Sequence, residues 1–140
     1  MRIFLDANIL FSAARSAGAV RQLVQALHAG GHSLVVDAYV AEEARRNLAS
    51  KAQADALAYL QALLAQMEVS PVQHLPTTST TLQWLPEKDR PVLLAAIALR
   101  CSALVTGDRT HFGPAYGQSW EGVTVYSPAQ LSLALFPAKA

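Results

Sequence analysis

The sequence predicts an α/β fold built on a mostly parallel sheet. Three observations carry that expectation. Short apolar runs alternate with longer stretches of helical periodicity, two of those runs end in an aspartate, and glycine, proline or a capping residue marks most of the changes between them. Strands separated by helices pair in parallel through right-handed crossovers.

Residues 2–5 read as the first strand, which runs into Asp6 and then a short helix over 8–15. Val20, Leu23, Val24 and Leu27, spaced i, i+3, i+4 and i+7, predict a helix over 19–29 that stops at Gly30-Gly31. A second strand, 32–36, ends on Asp37, a good N-cap for a helix over 38–48. Leu57, Leu60, Leu64 and Met67 form an apolar seam along a further helix, 51–67, followed by a weak strand at 68–72. The stretch 73–85, with its Thr77-Thr78-Ser79-Thr80-Thr81 tract, reads as a loop or short helix leading to Pro86. Residues 91–99 are apolar on all sides, so that helix should be buried on several faces. A fourth strand, 103–106, meets Gly107-Asp108, and a fifth covers 123–126. Ser127-Pro128 then opens the last helix, serine as cap and proline in the first turn. With no internal repeat or linker, residues 1–140 are expected to form a single domain.

Composition narrows the function classes. Hydrophobic residues make up 52% of the 140 and charged residues 15%, a surplus that favours a subunit interface or a partner groove. The formal charge is +1 and no lysine or arginine run exists, so strong nonspecific nucleic-acid binding along a basic stripe is not indicated. Cys101 is the sole cysteine, which excludes an intrachain disulfide and suits a reducing compartment. It lies in an apolar stretch and reads as inert packing. No apolar run reaches the ~20 residues that span a bilayer, and no basic leader precedes a long apolar segment. A cytoplasmic protein with no membrane association is expected.

Four acids stand out, each with an ordinary role to weigh against function. Asp6 follows Ile3-Phe4-Leu5 and could simply cap the next helix. Asp108 follows Ala103-Leu104-Val105-Thr106 through one glycine and could close an Asx-turn. Two apolar strands that both end in aspartate nevertheless form a pattern, because neighbouring strand ends lie side by side where open α/β sheets bind ligands. Glu43 shares a helix stripe with Val40, Ala44, Asn47 and Leu48, which turns it toward the sheet. Glu42 points elsewhere and can pair with Arg45 and Arg46, an interaction worth only ~0.2–0.5 kcal/mol per pair. Asp89 precedes Pro91 at the start of the buried helix, where capping and function are equally good readings, and Glu87 is the fallback.

Carboxylates gathered at one place raise one another's pKa values and need a cation. Mg²⁺ or Mn²⁺ fits, because hard cations take oxygen ligands and keep waters. Zinc does not compete: His28, His32, His74 and His111 lack ligand spacing, and one cysteine is too few. An acid-bound Mg²⁺ or Mn²⁺ suits phosphodiester hydrolysis, where the metal activates water and steadies charge on the phosphate oxygens.

Asp6-Ala7-Asn8 after a first strand, Glu43 within Ala41-Glu42-Glu43-Ala44-Arg45-Arg46-Asn47-Leu48, Asp89 in Asp89-Arg90-Pro91-Val92-Leu93, and Thr106-Gly107-Asp108 together resemble the PIN-domain ribonucleases, most of all the VapC-like toxins of toxin–antitoxin pairs. The resemblance covers nearly the whole chain. It implies a three-layer α/β/α domain with a parallel sheet in the order 3-2-1-4-5. It also implies that Asp6, Glu43, Asp89 and Asp108 are the catalytic residues, holding Mg²⁺ or Mn²⁺ and directing water at an RNA phosphate. Asn8 and Thr106 match positions that support the acids by hydrogen bonds. A homodimer and an antitoxin whose segment fills the acidic groove are the implied partners, with RNA as the substrate.

The chain departs from that pattern in places. Asp37 stands where many relatives carry serine or threonine, and 73–85 matches nothing in the family pattern. Arg15, Lys51, Lys88, Arg90 and Arg109 are the candidates for holding RNA, each competing with a solvated-surface role. So few phosphate contacts predict a shallow salt dependence of RNA affinity. His111-Phe112 reads as a loop anchor. Three other functions stay open: an aspartyl phosphatase with Asp6 as nucleophile, which Asn8 in place of a second aspartate disfavours; a non-catalytic PIN-fold binding module; and an RNA-processing nuclease without an antitoxin.

Overall fold

A computed structural model describes residues 1–50, 54–72 and 82–137. Five strands stand where the sequence places them: β1 (Arg2–Leu5), β2 (Ser33–Asp37), β3 (Glu68–Ser70), β4 (Ala103–Val105) and β6 (Val123–Tyr126). A sixth, β5 (Ser119–Trp120), was not expected. The sheet order is β3-β2-β1-β4-β6-β5, so the expected 3-2-1-4-5 arrangement holds once the last long strand is counted fifth. The correction is at the edge, where β5 pairs antiparallel to β6. Two residues are too few to show a period of two. Their return is made by Glu121 and Gly122, both at positive φ (47° and 85°), a turn that glycine adopts without strain.

The helices are α1 (Ala7–Arg15), α2 (Ala19–Ala29), α3 (Ala38–Ser50), α4 (Ala54–Leu64), α5 (Arg90–Ala98), α6 (Arg109–Phe112) and α7 (Pro128–Leu135). Gly30 ends α2 as expected, its N–H donating to Ala26 O at 2.9 Å. Asp37 caps α3 through a 2.9 Å bond from Val40 N–H to its Oδ1. Ser127 and Gln130 form a reciprocal capping box at the start of α7. The expected start of the helix at 51–53, and most of the 73–85 stretch, lie outside the described residues.

Ile3, Phe4 and Leu5 are fully buried in succession, as are Ala103, Leu104 and Val105. Successive strand residues point to opposite faces, so both faces of the central strands are covered, as a three-layer domain requires. Right-handed crossovers put α1–α4 on the side that carries the chain from β1 to β3, and α5 on the other. Phe4 sits in register with Val35 on one side and Leu104 on the other, and that register brings the carboxyl ends of β1 and β4 level.

Candidate functional site

The order of the sheet reverses between β1 and β4, the place where open α/β sheets leave a crevice beyond the strand ends. Asp6 and Asp108 stand there. Asp6 continues the ladder, its N–H donating to Val105 O at 3.0 Å, and its backbone stays extended (φ −72°, ψ 161°) so that α1 begins at the next residue. Only 6% of Asp6 is exposed. Oδ1 accepts the Ala7 N–H at 2.7 Å, and Oδ2 accepts the Thr106 hydroxyl at 2.8 Å and Asn8 Nδ2 at 3.3 Å.

Asn8 and Thr106 knit the two strand ends together. Asn8 Oδ1 accepts the Gly107 N–H at 2.8 Å, and its Nδ2 also reaches Thr106 Oγ1 at 3.3 Å. Thr106 Oγ1 in turn accepts the Asp108 N–H at 3.2 Å, while Tyr116 donates to the Thr106 carbonyl at 2.8 Å.

All four acids chosen from the sequence line a single open cavity of about 370 Å³. Glu43 reaches it half-buried from α3, whose fully buried Val40, Ala44 and Leu48 face the sheet as the helical phase required. Glu42 is exposed and pairs with Arg45. Asp89, for which the sequence leaves capping and function as equally good readings, stands at the head of α5 without a side-chain cap bond. It does not cap α5, because a short 3₁₀ turn, Glu87–Asp89, precedes that helix and the Asp89 backbone is already helical. The side chain is thereby free for the cavity. Glu87 is exposed and does not line it.

Burial pushes the Asp6 carboxyl up to about 6, with Glu43 and Asp89 adding to the rise and the bonds from Thr106 and Ala7 opposing it. Tyr39, one turn before Glu43, also lines the cavity. Its hydroxyl is raised first by burial and then by the charges of Glu43, Asp89 and Asp6. Tyr39, Glu43 and Asn47 stand at i, i+4 and i+8 and all line the cavity; helical spacing from Glu43 was the signal for Tyr39.

His111 does more than anchor a loop. Its Nδ1 lies 2.9 Å from Asp108 Oδ2 and 2.9 Å from Asp89 Oδ2. The first contact is a hydrogen bond; the second lacks the direction for one, and Asp89 Oδ2 is buried without a hydrogen-bond partner. Among the described residues, Asp89, Asp108 and His111 offer ligand atoms that all lie within 4.8 Å of one another.

The basic candidates separate. Lys88 lines the cavity and is its one basic residue among those described. Arg15 is exposed, its guanidinium 5.6 Å from the centre of the Phe11 ring, and Phe11 lines the same cavity. Arg109 faces a second cavity beside Tyr116. Arg90 Nε is engaged by the carbonyls of Leu82 and Leu85, at 3.1 and 2.9 Å. Lys51 lies outside the described residues. Among the described residues no helix is long and apolar enough to cross a membrane.

No curated protein matches the sequence. A solved structure does share the fold: a chain from the crystal structure of VapBC2 from Rickettsia felis, bound to a DNA fragment from their promoter, aligns with a TM-score of 0.65. Identity is 15%, over 91% of this chain and 98% of that one. A sequence model of the PIN domain matches residues 2–110, a span that holds every acid of the cavity. The chain belongs to the PIN-domain family.

Proposed function

We propose that this protein is a divalent-metal-dependent endoribonuclease, a single domain that hydrolyses RNA phosphodiester bonds, with Asp6, Glu43, Asp89 and Asp108 as its catalytic carboxylates. The observation that carries the reading is their convergence: four acids spread over more than a hundred residues of chain line one cavity. Four negative groups in one half-buried pocket are costly unless a cation joins them.

The residues present fit Mg²⁺ or Mn²⁺. The donors are carboxylate oxygens, which hard cations prefer, and Asp89 Oδ2 is a buried acceptor with no hydrogen-bond partner. Asp6, Glu43, Asp89 and Asp108 would hold the ion. When bound, it supplies an activated water and charge stabilisation at the phosphate. The chain's own groups do the rest. Asn8 and Thr106 hold the Asp6 carboxylate in one orientation, so its oxygens need no rearrangement. Lys88 steadies the RNA backbone at the mouth of the cavity, while Arg15 and Arg109 contribute more weakly from outside it.

Membership of the PIN family and the likeness to VapBC2, a pair of proteins by its name, support a toxin held in check by an antitoxin whose segment enters the acidic groove. The hydrophobic surplus supports a homodimer, and the single buried cysteine supports a cytoplasmic setting. The test is cleavage of a mixed RNA pool with Mn²⁺, Mg²⁺ or EDTA, comparing wild type with Asp6→Asn. Cutting should require the metal and vanish in the variant; equal cutting by both proteins removes Asp6 from the mechanism.

A further inference from the structure

We propose that His111 is a positioning residue for this site: its ring nitrogen holds the Asp108 carboxylate still and leaves the facing oxygen of Asp89 open to receive the ion. The inference rests on the metal-dependent reading above.

His111 grips Asp108 twice. Its backbone N–H donates to Asp108 Oδ1 at 3.1 Å, and its Nδ1 bonds Oδ2 at 2.9 Å. The Asp108 N–H is already fixed on Thr106 Oγ1 at 3.2 Å, so that residue has little freedom left. A ring nitrogen carries at most one hydrogen, and here it is directed at Asp108. Asp89 Oδ2, equally near at 2.9 Å, is left buried and unbonded. The arrangement is asymmetric: one carboxylate is clamped by hydrogen bonds, while the other meets the ring nitrogen at 2.9 Å with an oxygen that accepts none.

His111 is itself held in place. Phe112, the next residue, is fully buried and meets Trp84 edge-on, the ring centres 6.5 Å apart at 80°. The ring of His111 therefore sits on a short helix that cannot swing without opening the core. While Nδ1 donates to Asp108 that nitrogen has no lone pair for a metal, so its part there is to orient the carboxylate. Partners of that kind typically matter by about 10–100-fold in metal affinity.

The test is calorimetric titration of the full chain with Mn²⁺ alone, for wild type, His111→Ala, His111→Asn and His111→Gln. Ala should weaken binding about 10–100-fold, with RNA cutting recovered at saturating Mn²⁺. Asn places an amide N–H near the Nδ1 position and should restore most of the affinity. Gln carries its donor farther out and should bind as weakly as Ala, which keeps the comparison available if Ala does not fold. Unchanged affinity in Ala and Gln, beside a wild type that binds, overturns the positioning role and leaves the nuclease reading intact. Equal losses in Ala and Asn, both folded, show that an amide donor at that place does not substitute for the ring nitrogen and also overturn it. A wild type that takes up no Mn²⁺ removes the functional reading, and this inference with it.

Discussion

The Thr106 hydroxyl donates to Asp6 Oδ2 over 2.8 Å, joining the ends of two strands that lie 100 residues apart in the chain. Thr106 Oγ1 also accepts the Asp108 N–H, so one fully buried side chain serves two acids. Thr106→Val keeps the shape and removes both bonds, together with the 3.3 Å bond from Asn8 Nδ2. Leaving buried polar groups unpaired should cost about 1–3 kcal/mol, read as a lower urea midpoint with an unchanged slope. A midpoint equal to wild type would mean the bond contributes nothing.

Asp6→Asn should abolish cutting and remove one pH-dependent loss of stability from the metal-free protein. The Asp6 carboxyl is raised from 3.8 to about 6, chiefly by burial. An acid raised by folding is no burden below its unfolded pKa, and its stability contribution is lost as pH rises through the folded value. Metal-free wild type should therefore lose stability between about pH 4 and 6, then level off with respect to this group. The two-unit rise sets a ceiling of about 3 kcal/mol on the gain from removing the charge. Thermal unfolding in EDTA across that window checks it: the variant should lack the fall. A variant whose stability falls across the window as steeply as that of the wild type would contradict the assigned cause.

Glu43 and its neighbour make an internal control. Glu43→Gln should abolish metal-dependent cutting, because the side chain lines the cavity. Glu42→Gln breaks only an exposed pair with Arg45, so activity should hold and stability should barely move, because exposed ion pairs contribute little. Matched losses in the two variants would mean that the helical phase of α3 is misassigned.

Lys88 and Arg90 should separate binding from stability. Lys88→Ala should weaken RNA binding and lower the slope of log affinity against log salt by about one. Arg90→Ala instead frees the carbonyls of Leu82 and Leu85 and should cost about 1–3 kcal/mol in a urea melt. The reverse pattern would put the RNA contact on Arg90.

The central strands and the acids at their ends were legible because local signals agree with the final packing. The apolar runs before Asp6 and Asp108 are buried on both faces, and the i+3 and i+4 spacing around Val40 turns Glu43 inward and Glu42 out. What stayed open or escaped depends on distant contacts. For Asp89 the sequence leaves capping and function level, and the 3₁₀ turn before α5 decides between them. His111 stands three residues from Asp108, a spacing the sequence displays, but its approach to Asp89 follows from how α5 docks. The edge strand β5 was missed because two residues cannot show an alternation.

The most direct measurement is the affinity for Mn²⁺ of the wild type beside Asp6→Asn, Glu43→Gln, Asp89→Asn and Asp108→Asn, with folding of each checked by circular dichroism. If the four carboxylates form one ion site, the wild type binds and every folded variant binds at least about tenfold more weakly. A wild type without measurable affinity, or variants that all retain it, would contradict the account.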